Sequence, residues 1–183
     1  MSRLDPFPHM TPSLTVTLTQ QLTGLGQEVG GYEAEIRRVL GTHPNGELYL
    51  SLPGAGTLLA ARMVGELGDH RTRYPDAAAA QCEAGTAPTT RARGATRTVH
   101  VRRACIRPLR ETMWQFAFCS LAVCPWAKQY YQSARQRGKR HAEAIRMLGN
   151  VWLRIIIAMR RDQRGYDEAI FLKTREMHLA VAT

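Results

Sequence analysis

The strongest constraint on the fold lies near the N-terminus. Leu18, Leu22, Leu25, Val29, Tyr32, Ile36 and Val39 recur in alternating steps of four and three. Such spacing lines one face of a helix with an a/d seam, as in a coiled coil or helical hairpin. Gly24, Gly26, Gly30 and Gly31 fall inside it, each costing up to about 1 kcal/mol of helix stability relative to alanine. This helix therefore needs a partner, either a second copy or the chain's own core. Thr42–Gly46 (THPNG) supplies turn chemistry to end it.

The charge is segregated along the chain. A net charge of +10 on 183 residues resolves into three parts. Residues 1–90 hold 6 Lys/Arg against 9 Asp/Glu, residues 91–165 hold 17 against 3, and residues 166–183 hold 2 against 3. Only Lys128, Lys139 and Lys173 are lysines, so 22 of the 25 cations are arginine, the residue suited to forked contacts with phosphate. A solvated helix face normally mixes signs. A block this one-sided excludes an acidic surface for cationic substrates and points to a polyanion, DNA or structured RNA.

The sharpest local motif is Leu50-Ser51-Leu52-Pro53-Gly54-Ala55-Gly56-Thr57-Leu58-Leu59-Ala60. An apolar approach, a Pro-Gly-x-Gly turn and an alanine-rich helix resemble a helix-hairpin-helix element. Glycines let backbone approach a ligand, and the following helix offers N–H groups and a positive dipole end to a phosphate. A tight turn between packed helices is the competing explanation. The helix is expected to end near Gly68, with Leu58, Leu59, Met63, Val64 and Leu67 inward and Arg62 and Glu66 outward.

Further along, Tyr74–Pro88 reads as a short helix after Pro75 and a turn. Thr89–Arg97 (TTRARGATR) has no apolar residue larger than alanine, which predicts a cationic loop, with Thr98–Val101 as a brief strand. Arg102, Arg103, Arg107 and Arg110 lead into a helix after Pro108 that is expected to be central and buried through Met113, Trp114, Phe116, Ala117, Leu121 and Val123. A helix from Cys124-Pro125 to about Gly138 and a long helix over about Arg140–Arg161 follow. Arg146, Asn150, Arg154 and Arg161 share a face of the last helix that either grips phosphate or is merely solvated. The fold class is mainly α, with at most a small β element.

The four cysteines, at 82, 105, 119 and 124, form no Cys-x-x-Cys pair, so neither a zinc site nor a disulfide framework is expected. No stretch reaches bilayer-spanning length, and the first residues lack a signal-peptide layout. These features predict a soluble, reducing, cytoplasmic setting.

Taken in order, SLPGAGTLLAARMVGELGD, the AGTAP turn, RTVHVRRAC followed by LRETMWQFA, and PWAKQYYQSARQRGKRHAEAIRMLGNVWLRIIIAMRRD resemble the C-terminal domain of transposases of the insertion-sequence 110 family, with its 116 and 902 relatives. The resemblance covers about residues 47–167, and the heptad segment is similar to the coiled-coil region that precedes this domain in the family. The organisation expected is a loose N-terminus (1–13), a heptad helix (14–46), a nucleic-acid-binding domain (47–167) and a tail (168–183).

The resemblance implies DNA transposition, guided in some members by a structured RNA. It also implies an RNase H-like domain bearing acidic metal ligands, to which Mg2+ would belong; no such cluster precedes the heptad helix, where Asp5 is the only acid. The chain is thus expected to be a truncated form that binds no cofactor itself. In the family a serine nucleophile lies in a Ser-Gly-Lys-Ser-like string after the AGTAP-like turn. The matching string here is Arg93-Gly94-Ala95-Thr96. Arginine, permanently protonated, is no nucleophile; Thr96 carries a hydroxyl but is offset by three residues. Ser120 and Ser133 read as structural. The residues expected to contact nucleic acid are Pro53, Gly54, Gly56, Thr57, Arg91, Arg93, Arg97, Arg102 and Arg103. A homodimer, or a complex with a full-length transposase, through the 18–39 helix is the expected protein partnership. A non-catalytic DNA- or RNA-binding protein is the alternative, and a DNA-repair accessory protein a third.

Overall fold

A computed structural model describes residues 12–173 of the chain. Its helices and one hairpin follow in order: α1 (Pro12–Thr42), α2 (Gly46–Leu50), α3 (Gly56–Leu67), α4 (Ala77–Glu83), β1 (Pro88–Arg93), β2 (Thr96–Val101), α5 (Arg107–Val123), α6 (Pro125–Gln136) and α7 (His141–Asp162). A 3₁₀ turn at Arg71–Arg73 precedes α4. Residues 168–173 are again helical, so the expected tail begins with structure. The remainder of that tail, and residues 1–11 of the expected loose N-terminus, lie outside the described residues.

The boundaries follow local chemistry. The Asp76 carboxylate caps α4 by accepting from the Ala79 amide at 2.8 Å. Pro108 opens α5, and Pro125 opens α6 directly after Cys124, whose extended backbone ends α5. The α6–α7 turn passes through Gly138 at φ +81°, where glycine avoids the Cβ clash of the left-handed region.

Helices α5 and α7 pack together at the centre, flanked by α3, α4 and α6. Leu109, Met113, Phe116 and Ala117 of α5 meet Ile145, Leu148, Trp152 and Ile156 of α7 in one buried cluster. Its heart is aromatic. Trp152 lies 5.0 Å from Phe116 and 4.7 Å from Trp126, ring centre to ring centre. The Trp152 indole donates to Ser120 Oγ at 3.0 Å, and the Trp126 indole to the Tyr166 hydroxyl at 2.8 Å. These bonds spare two buried N–H groups the cost of desolvation without a partner.

Several expectations are corrected. Residues 89–97 are not a loop: Arg93 pairs with Thr96 and Pro88 with Val101 in one antiparallel hairpin. Alternating Thr, Arg and Val favour extended backbone, and Gly94 at φ +56° closes a two-residue turn. Helix α5 is central but not buried all round, since Trp114, Phe118 and Val123 are exposed. Leu58 also faces outward.

The largest difference concerns α1. Residues 14–35 are exposed on every side, the seam included, and only Leu40 at the C-terminal end is buried. From Leu18 to Tyr32 the seam therefore packs on no core among the described residues, and only its end, at half-buried Ile36, joins the domain; this removes one of its two expected partners for most of its length. Roughly 33 Å of helix, at 1.5 Å per residue, projects from the domain.

Candidate nucleic-acid interface

The hairpin stands on a polar foundation. Thr86 Oγ1 donates to Asn150 Oδ1 at 2.9 Å, and Gln81 Nε2 donates to the Asn150 carbonyl at 2.8 Å. Where the chain leaves the hairpin, the Ile106 amide donates to the Glu83 carbonyl at 2.7 Å. The Arg110 guanidinium donates to the carbonyls of Arg102 and Arg103 at 2.8 and 3.3 Å. It lies so close to Gly85 that a Cβ there would meet its nitrogens at 3.0 Å. Both ends of the hairpin are thus tied to α4, α5 and α7.

Beyond this base, every hairpin residue except half-buried Thr89 is exposed. The register sorts its side chains by the two-residue alternation of a strand. Thr89, Arg91 and Arg93 share a face with Thr96, Thr98 and His100; Pro88, Thr90 and Ala92 share the other with Arg97, Val99 and Val101. Arg91 and Arg93 therefore stand side by side on an all-polar face, and Arg97 is turned away from them. Among the described residues no ion pair engages any of the three. Arg103 is exposed, whereas Arg102 is half-buried at the hairpin base.

Thr96 pairs directly with Arg93. An offset of three along the chain becomes adjacency across the turn, with both side chains on one face. Ser120 is buried, with Oγ donating to the Ala117 carbonyl, and Ser133 Oγ accepts from Arg137.

The Pro53–Thr57 turn lies elsewhere. Gly54 adopts φ +82°, and a Cβ there would sit 3.1 Å from the Cys119 backbone. Glycine is needed at this position because α5 passes behind it. Gly56, at φ +52°, has open space around it, and no side chain caps the start of α3. Between Arg107, next to the hairpin, and Cys119, behind the turn, α5 advances about 18 Å at 1.5 Å per residue. The two sets of expected contacts are not one contiguous site.

The arginine row of α7 also divides. Arg154 and Arg161 are exposed, and Arg161 pairs with Asp162. Asn150 is committed to the hairpin foundation. Arg160, which the periodicity reading passed over, is buried. Its guanidinium donates to the carbonyls of Leu67, Gly68 and His70 at 3.1, 2.7 and 3.3 Å, capping the C-terminal end of α3 where the helix dipole favours a cation. The signal was present: Arg160 follows Trp152 and Ile156 at four-residue steps on the apolar stripe.

Among the described residues no three His, Cys, Asp or Glu side chains converge to hold a metal ion. None of the described helices is long and apolar enough to cross a membrane.

Comparison with known proteins gives this geometry its context. Residues 46–132 match the model of the transposase IS116/IS110/IS902 family. The chain is 33% identical over 152 residues to the 43.6 kDa protein of insertion element IS110 from Streptomyces coelicolor, covering 82% of this chain and 37% of that protein. It is 28% identical to the 42 kDa protein of IS900 from Mycobacterium paratuberculosis and 30% identical to the 44.8 kDa protein of IS116 from Streptomyces clavuligerus, covering in each case 90% of this chain and 41% of the relative. The chain thus spans about two fifths of the length of these relatives. The segment that carries the motifs, residues 46–132, is thus the one that matches the IS116/IS110/IS902 family of transposases.

Proposed function

We propose that this chain binds DNA through backbone phosphates, with the β1–β2 hairpin as its principal grip, as part of transposition of the insertion-sequence 110 type. The observation that carries this reading is the hairpin itself: three arginines on a doubly exposed ribbon, without an ion pair among the described residues, in the most cationic part of the chain. Such contacts position a strand without reading bases. The open side of Gly56 and the start of α3 form a second, separate phosphate contact. Structured guide RNA offers the same phosphate chemistry and is the other polyanion this surface suits.

Affinity for duplex DNA should fall steeply with salt, since each phosphate neutralised releases counterions. Replacing Arg91, Arg93 and Arg97 by alanine should flatten the salt slope by about one for each phosphate no longer neutralised, equally for all sequences. A flat salt response in the parent chain, or no binding at low salt, overturns the proposal.

A second reading is favoured by Arg93 itself. A guanidinium at the position where the resemblance places the nucleophile suits a DNA- or RNA-binding protein that does not cut. Thr96, paired with it on the same face, brings a hydroxyl beside that position. Strand transfer assayed with an acidic partner domain supplied decides between them. Activity lost in Thr96→Ala assigns that hydroxyl a role; no activity in either protein supports binding alone.

A further inference from the structure

Most aromatic side chains of the helical domain are at least partly buried, but two are displayed. Trp114 and Phe118, four residues apart on α5, are 41% and 48% exposed. Their rings are parallel to within 4°, with centres 5.7 Å apart. The His141 ring stands edge-on to both, at 6.3 and 6.1 Å. It is itself held by a 2.8 Å hydrogen bond between Nδ1 and the Tyr131 hydroxyl. Three helices, α5, α6 and α7, thus fix the arrangement of these exposed rings before any ligand arrives.

Its surroundings are cationic. Arg107 lies two turns earlier on the same stripe of α5. Arg62 donates to Gln115 Oε1 at 3.1 Å, next to Trp114 in the chain. Arg137, Lys139 and Arg140 occupy the turn that leads into His141. The acids nearby are Glu111 and Glu143, and Glu143 is engaged by Lys139 at 2.9 Å. An apolar protein surface would gain nothing from these positive charges. A strand whose phosphates meet cations while its flat bases meet aromatic rings satisfies both features.

We propose that Trp114 and Phe118, buttressed by His141, form a stacking surface for unpaired bases of a single-stranded nucleic acid. The inference rests on the phosphate-binding reading above and extends it from duplex to single strand. A duplex hides its base faces within the stack, so this surface distinguishes strand states that the hairpin arginines do not. Stacking on aromatic rings tolerates any base, because every base has a π-face.

Tryptophan emission of the full chain tests the proposal, because Trp126 and Trp152 are buried and quenching by added oligothymidylate reports Trp114. At low salt the oligonucleotide should quench emission. Trp114→Leu should abolish that quenching and weaken oligothymidylate binding about five- to hundredfold, the range expected for loss of a stacked base. Duplex affinity should stay within about twofold, and Phe118→Leu should act in the same direction with Trp114 intact. Absence of quenching with salt-dependent duplex binding retained overturns the stacking surface and leaves the hairpin reading standing. Loss of all salt-dependent binding in the parent chain overturns the hairpin reading. A Trp114→Leu chain with unchanged oligothymidylate affinity but altered sedimentation identifies a protein contact instead, and overturns the proposal.

Discussion

Arg160 shows how much one side chain can hold. It is 5% exposed and bonds three carbonyls at the end of α3, with the Tyr74 ring 5.9 Å from its guanidinium. Truncating a buried charge that satisfies several acceptors leaves those acceptors unpaired, which costs more than the bonds themselves contribute. Arg160→Leu should destabilise the fold by about 2–4 kcal/mol, seen as a lower denaturant midpoint with an unchanged slope. Arg154→Leu, on the exposed side of the same helix, should change it by less than about 0.5 kcal/mol. Residues of this kind separate what sequence can disclose from what it cannot. Gly54 was legible as a glycine of consequence, yet its reason, the α5 backbone that an added Cβ would meet at 3.1 Å, depends on a contact more than sixty positions away. Asn150 and Arg154 look alike in a periodic pattern, and only packing shows that one is a strut and the other is solvated.

At the scale of elements, helices were readable because three-four spacing and proline punctuation are local signals: α5, α6 and α7 lie where Pro108, Pro125 and the Ile145–Met159 stripe place them. The hairpin was harder. Neither face is buried, so β1 carries no apolar alternation and β2 only Val99 and Val101, and the turn signal rests on Gly94 alone. The α1 seam was legible as a seam but not as an unpartnered one. A lone helix carrying five glycines is marginal in water, yet from Leu18 to Tyr32 its a/d residues pack on no core among the described residues. We therefore expect self-association through residues 18–39. Sedimentation of the full chain should show a dimer, and Leu22→Glu with Val29→Glu should yield a monomer with weaker far-UV helical signal. A parent chain that sediments as a monomer with the same signal contradicts this. Gly24→Ala is a useful control, since beyond the neighbouring residues and the backbone of its own helix no described atom lies within 4 Å of the added methyl.

Across the whole molecule, charge and burial separate at high pH. Burial pushes the Tyr49 hydroxyl up to about 12 against the opposing charge of Arg160, and raises Tyr74 to about 12 as well. Tyr166, also desolvated, is raised further. A tyrosine whose folded pKa exceeds its unfolded value of about 10 keeps its proton in the native state while the unfolded chain releases it. The unfolded state then binds fewer protons, so stability falls as pH rises. This contribution is intact below about pH 10 and is lost progressively as pH climbs through about 12. The cationic surface responds differently, because 22 of the chain's 25 cations are arginines, a side chain that stays protonated throughout. Loss of nucleic-acid binding on alkaline titration should therefore not precede unfolding. Binding by anisotropy and folding by circular dichroism, followed on one sample from pH 8 upward, should remain coupled, with tyrosinate absorbance from the buried hydroxyls appearing at the same transition. A drop in affinity well before the fold loosens would contradict an arginine grip.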